Sequence, residues 1–117
     1  MSEELSAHLD VDALEMLKDI MEDEFTLLVN TFLTDALERI EQINSAINNQ
    51  SADDIRRAAH SFKGSSANIG AHTLQQYCLD LEKAGHENNL SEVAQMAEKI
   101  SQEYTITAQL LKSNYLA

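Results

Sequence analysis

From Phe25 to Ile47 the chain places Phe25, Leu28, Val29, Phe32, Leu33, Ala36, Ile40, Ile43 and Ile47 at intervals of three and four. That spacing returns to one face of a 3.6-residue turn and predicts a single helix of about 24 residues with a buried stripe. A helix this long needs neighbours of similar length to cover its stripe, and the rest of the chain supplies three. Ile55, Ala58, Ala59, Phe62, Ser66 and Ile69 form one stripe, and Leu74, Tyr77, Cys78, Leu81 and Ala84 or Gly85 form the next. Val93, Ala97, Ile100, Tyr104, Thr107, Leu111 and Tyr115 carry the same spacing almost to the C-terminus. With no proline and three glycines in 117 residues, nothing interrupts these stripes from within. The expected fold is all-α: one domain over residues 1–117, an up-and-down antiparallel four-helix bundle with a short extra N-terminal helix. That extra helix is capped by Asp10, carries Leu14, Leu17, Ile20 and Met21, and lies over one end of the bundle as a lid. Residues 1–9 show little pattern beyond Leu5 and Leu9.

Local signals set the boundaries. Glu22-Asp23-Glu24 suits a helix N-terminus, and Asn48-Asn49-Gln50 ends the long helix with side chains that compete with its backbone. Ser51 with Asp54 three residues on resembles a capping box, and Gly70 is the expected stop of the helix that follows. A new helix begins near Ala71 or His72, so these two form an antiparallel hairpin. Gly85 with His86-Glu87-Asn88-Asn89 closes it, and Ser91 is the expected cap of the last helix.

Charge and composition exclude several classes. A formal net charge of −12 argues against nucleic acid and anionic membrane, both of which require clustered cations. The one cysteine forms no internal disulfide, and Cys78 sits on a core stripe, where it reads as a small hydrophobe rather than a redox centre. No apolar run approaches a membrane span, and the acidic Met1-Ser2-Glu3-Glu4 is unlike a signal peptide, which points to the cytoplasm. The initiating Met1 and acidic leader favour a free-standing protein over the end of a longer one. His8, His60, His72 and His86 include no pair at i, i+3 or i, i+4, so no metal site is expected.

His60 stands apart from the core residues. It lies roughly 150° from the stripe of its helix, which turns the imidazole towards solvent. Arg56, Arg57 and Lys63 lie beside it at i−4, i−3 and i+3, three of the eight basic residues in the chain. They mark a face for an anion or an acidic partner, or else merely balance Asp53 and Asp54. Gly64 at i+4 leaves a gap in a helix interior, where glycine costs about 1 kcal/mol, and close approach of another surface would explain it. His60 is ten residues before Gly70 and Glu82 twelve after, so across the hairpin their heights agree within roughly 3 Å at 1.5 Å per residue. Glu82 either accepts a hydrogen bond from His60 Nδ1–H, leaving Nε2 as a nucleophile, or is simply solvated.

The run Ala59-His60-Ser61-Phe62-Lys63-Gly64-Ser65-Ser66-Ala67-Asn68-Ile69-Gly70, with Leu74, Cys78, Leu81 and Glu82, resembles the histidine phosphotransfer (HPt) family. The pattern of histidine, apolar residue at i+2, lysine at i+3, glycine at i+4 and two small residues is met throughout, and the likeness by motif covers residues 51–85. It implies a phosphocarrier in a multistep phosphorelay: His60 accepts a phosphoryl group from a receiver-domain aspartate and passes it to another. By the same resemblance Lys63 steadies the phosphoryl oxygens, Gly64 admits the receiver, and Glu82 takes the place of the glutamine or acid bonded to the histidine ring. Arg56, Arg57, Gly64 and Ala67 are expected on the partner face, where rim charges speed encounter and select partners. The implied partners are response-regulator receivers and a hybrid histidine kinase. Mg²⁺ is expected on the receiver, with no cofactor on this chain, and the carrier is expected to be a monomer without kinase activity of its own. A glycine-rich phosphate loop is missing, and Ser61 replaces the acid that would follow the histidine of a dimeric kinase helix. The alternative is a non-catalytic helical adaptor that binds a receiver or another protein and is never phosphorylated.

Overall fold

The computed structural model describes residues 2–116, folded into six helices. They are α1 (Ser2–His8), α2 (Val11–Met21), α3 (Glu24–Asn48), α4 (Ala52–Asn68), α5 (His72–His86) and α6 (Val93–Tyr115). Helices α3 to α6 form a closed antiparallel ring in which α4 packs on α3 and α5, and α6 on α5 and α3. The bundle measures 42 × 26 × 18 Å.

The predicted stripes make the core. Phe25, Val29, Phe32, Leu33, Ala36 and Ile43 of α3 face Ile55, Ala59, Phe62 and Ser66 of α4, all buried. Phe62 is fully buried, with Phe32 as a ring neighbour at 6.4 Å between centroids. Burying a side chain of this size contributes about 1.5–3 kcal/mol. Tyr104 is anchored at both ends, its ring against Phe32 and its hydroxyl donating to Leu33 O at 2.8 Å.

Two helix entries follow the caps expected of them. Asp10 accepts from Ala13 N–H at 3.1 Å, and Ser51 Oγ accepts from Asp54 N–H at 3.3 Å. Gly70, at φ +75°, ends α4 with two bonds, Gly70 N–H to Ala67 O and Ala71 N–H to Ser66 O. This pair of bonds is the Schellman arrangement and produces the tight reversal into α5. It also fixes the α4/α5 register on which the site depends.

Four expectations are corrected. Residues 2–8 form a helix despite their weak pattern. The contacts that hold it are tertiary: Thr73 Oγ1 donates to Ala7 O at 2.6 Å, His72 Nε2 to Ser6 O at 2.8 Å, and His8 Nδ1 pairs with buried Glu103 at 2.6 Å. Ile20 lies off the buried face of α2, 70 % exposed, while Leu14 carries the anchoring. The run Gly85 to Asn89 closes α5 as expected, but not through its glycine. Gly85 is helical and buried, and the turn is made by Asn88, whose positive φ lets Asn89 N–H reach Ala84 O. Ser91 does not cap α6 either: its hydroxyl bonds Asn89 Oδ1 at 3.0 Å, and the helix begins at Val93 after Glu92.

Candidate functional site

The middle of α4 and the facing turn of α5 bring three of the predicted residues together. His60 Nδ1 lies 2.9 Å from Glu82 Oε2, and Lys63 Nζ lies 2.6 Å from Glu82 Oε1. One carboxylate thus spans an imidazole and an ammonium group that are one turn apart on the neighbouring helix. Burial alone would raise the Glu82 carboxyl, but the hydrogen bonds from Lys63 and His60 outweigh it and hold the group below its ordinary range. An ionised carboxylate only accepts hydrogen bonds, so Nδ1 of a neutral His60 must carry the ring proton. Nε2 is then the nitrogen with the free lone pair, on a side chain 65 % exposed to solvent. Lys63, by contrast, is mostly covered and has its charge matched by Glu82.

The other predicted residues do not join this cluster. Arg56 and Arg57 share Asp53 one turn towards the start of α4, each 2.9 Å from a different carboxylate oxygen. The hydrogen bond from Arg56 is the main reason that the Asp53 carboxyl lies below its usual range. Gly64 and Ala67 are exposed at i+4 and i+7 from His60, in line along the same face. A side-chain carbon at Gly64 would meet no atom within 4 Å. Nothing inside the molecule therefore requires glycine there.

One neighbour of the site was not anticipated. Arg39 of α3 is half-buried and donates from Nη1 to Ser61 Oγ, the residue next to His60. The signal available in the sequence was a cation set among the apolar residues of the strongest stripe, between Ala36 and Ile43.

Cys78 is fully buried beneath the site, and burial pushes its thiol up to about 12, followed by the Glu82 charge as a smaller cause. A thiol held so firmly protonated is a poor nucleophile. Among the described residues no helix is long and apolar enough to cross a membrane. His60 lines none of the main surface grooves and stands on an open face, which suits a macromolecular surface better than an enclosed small molecule.

Comparison with known proteins identifies the family of the fold. The Hpt domain family matches residues 27–110, from the first turns of α3 to the later part of α6, and so includes all of α4 and α5. The crystal structure of histidine-containing phosphotransfer protein B (HptB) from Pseudomonas aeruginosa PAO1 is similar, with a TM-score of 0.89 and 37 % sequence identity. The similarity covers 91 % of this chain and 92 % of that one. No curated protein matches the chain. The family match takes in α4, α5 and most of α3 and α6, and the structural likeness extends over nearly the full length of both chains, so the chain belongs to the Hpt domain family and serves as a histidine phosphotransfer component of a phosphorelay.

Proposed function

We propose that His60 is the phosphoacceptor, taking a phosphoryl group from the aspartyl phosphate of one receiver domain and returning it to the aspartate of another. The observation that carries this is the contact of His60 Nδ1 with Glu82, which assigns the lone pair of an exposed imidazole to Nε2. In transfer, the Nε2 lone pair forms a P–N bond as the P–O bond to the receiver aspartate breaks, and the carboxylate departs. Nδ1 keeps its proton against Glu82, and the positive charge that develops on the ring is stabilised by that carboxylate. The reverse step follows the same path.

Lys63 is within reach of the transferred group from the next turn, and in this proposal it exchanges Glu82 for the phosphoryl oxygens as charge builds there. Gly64 and Ala67 form the floor on which the receiver rests, and Arg56 and Arg57 supply rim charge opposite its acidic site. Phosphoryl transfer is largely positioning and charge stabilisation, so Mg²⁺ and the remaining catalytic groups belong to the receiver. The chain acts as a cytoplasmic monomer with no kinase activity of its own, between a hybrid histidine kinase and a response regulator.

The test is to mix the protein with phosphorylated receiver domains and Mg²⁺ and to follow acid-labile, base-stable phosphate. Wild type is expected to take up label and His60→Gln, though folded, none. Equal labelling of both would reject His60. No label on either, with several receivers tried, would favour the adaptor.

A further inference from the structure

On α3 the positions Phe25, Val29, Phe32, Ala36, Arg39, Ile43 and Ala46 follow one another at alternating steps of four and three. This is the seam that a helix turns towards its partners, and six of the seven residues are buried. Arg39 is the exception, a guanidinium at a position that the spacing reserves for an apolar side chain. It is half-buried, beside Ser61 of α4.

Its partners do not account for its charge. Nη1 donates to the neutral hydroxyl of Ser61, while Nε is buried and meets no acceptor among the described residues. No carboxylate of the described residues comes within ion-pair distance of it, although Asp35 lies one turn away on the same helix and the chain holds 20 acids. Arg56 and Arg57 share Asp53, and Lys63 has Glu82. Of the cations around His60, then, Arg39 alone lacks an anionic partner among the described residues. A partly desolvated cation without a counter-charge is costly, and an external anion would lower that cost.

The placement names the side from which that anion comes. Lys63 and Glu82 flank His60 towards α5, whereas Ser61 and Arg39 flank it towards α3. We infer that Arg39 is a specificity-determining contact for the receiver: its guanidinium rests on Ser61 in the free protein and engages an acidic side chain of the receiver when that domain sits over His60. This rests on the assignment of His60 as the acceptor. Arg39 touches the partner and not the phosphoryl group, so it governs docking and leaves the chemistry of the imidazole unchanged.

The experiment uses two phosphoryl donors on the full chain. One is a receiver domain that charges the wild type, itself loaded with acetyl phosphate; the other is potassium phosphoramidate, which needs no docking. Arg39→Gln is expected to raise KM for the phosphorylated receiver about fivefold or more, with kcat and the phosphoramidate rate changed less than about twofold. Arg39→Lys keeps the charge and is expected to recover part of the loss, which also covers the case of a poorly folded glutamine variant. Ser61→Ala removes the resting acceptor and is expected to leave KM unchanged. An unaltered KM in Arg39→Gln would overturn the inference, as would an equal loss with phosphoramidate or a Ser61→Ala variant that copies the defect. Failure of the wild type to take phosphate from either donor would instead reject His60 as the acceptor, so the two ideas fail separately.

Discussion

Gly64 and Gly85 both lie inside helices, where glycine costs about 1 kcal/mol relative to alanine, and their surroundings are opposite. At Gly64 an added Cβ would meet nothing within 4 Å. At Gly85 it would lie 2.8 Å from Ala52 O and 2.8 Å from Arg56 N, backbone atoms that cannot swing aside. Gly85 is thus explained from within: it lets α5 cross the first turns of α4, and that crossing holds the α4/α5 register that sets Glu82 against His60. Gly64 has no such internal reason, and its explanation is sought outside the chain, in the surface that meets His60. One glycine builds the site and the other keeps its approach open.

The sharpest way to break this contrast is Gly85→Ala. Overpacking against a rigid neighbour typically costs about 1–3 kcal/mol, and the better helix propensity of alanine returns about 1 of that, so a net loss of up to about 2 kcal/mol is expected in urea unfolding. Unchanged or raised stability would mean that the crossing yields easily. Next is Gly64→Gln, expected to keep full helix content by circular dichroism while weakening receiver binding about tenfold, equivalent to about 1.4 kcal/mol. Undiminished binding would remove docking as the reason for this glycine. A smaller effect of opposite sign is expected for Gly64→Ala, a gain of up to about 1 kcal/mol in folding stability, since nothing obstructs the new methyl group. A loss would show that the open face is more constrained than its geometry indicates.

The smallest expected effect concerns pH. Because the Glu82 carboxyl is held below its ordinary range in the fold, its ionised contacts stabilise the protein fully above that ordinary range, near pH 4.3. The contribution declines as pH falls through the lowered value. The stability that the ionised Glu82 gives the wild type over Glu82→Gln should therefore shrink in acid, below about pH 4. A difference that persists undiminished at about pH 2 would contradict the clamp.

How much of this was legible beforehand varied with the physics of each part. Helices α3 to α6 announced themselves because each buries a stripe at regular intervals, and counting residues on either side of Gly70 put His60 and Glu82 at the same height while leaving open whether they touch. Helix α1 did not, since seven residues are too few for a period and its contacts come from His72, Thr73 and Glu103, far along the chain. Gly85 was legible as an inner-face residue near the end of α5, but not its close approach to α4: a glycine near a helix end looks the same whether it stops the helix or admits another, and only the position of Ala52 and Arg56 tells the two apart. Arg39 was passed over for a similar reason. A cation in an apolar stripe becomes informative only when its lack of a carboxylate partner is visible.

The arrangement at His60 makes one claim that a single spectrum can test, namely that Glu82 holds Nδ1–H and leaves Nε2 to form the bond. Nitrogen and phosphorus NMR on the 15N-labelled protein, charged by a phosphorylated receiver, would identify the nitrogen that carries the phosphoryl group. Phosphorus coupling at His60 Nε2, with a protonated Nδ1 whose signal moves in Glu82→Gln, is the expected result. Coupling at Nδ1, or an Nδ1 signal indifferent to the loss of Glu82, would contradict the account.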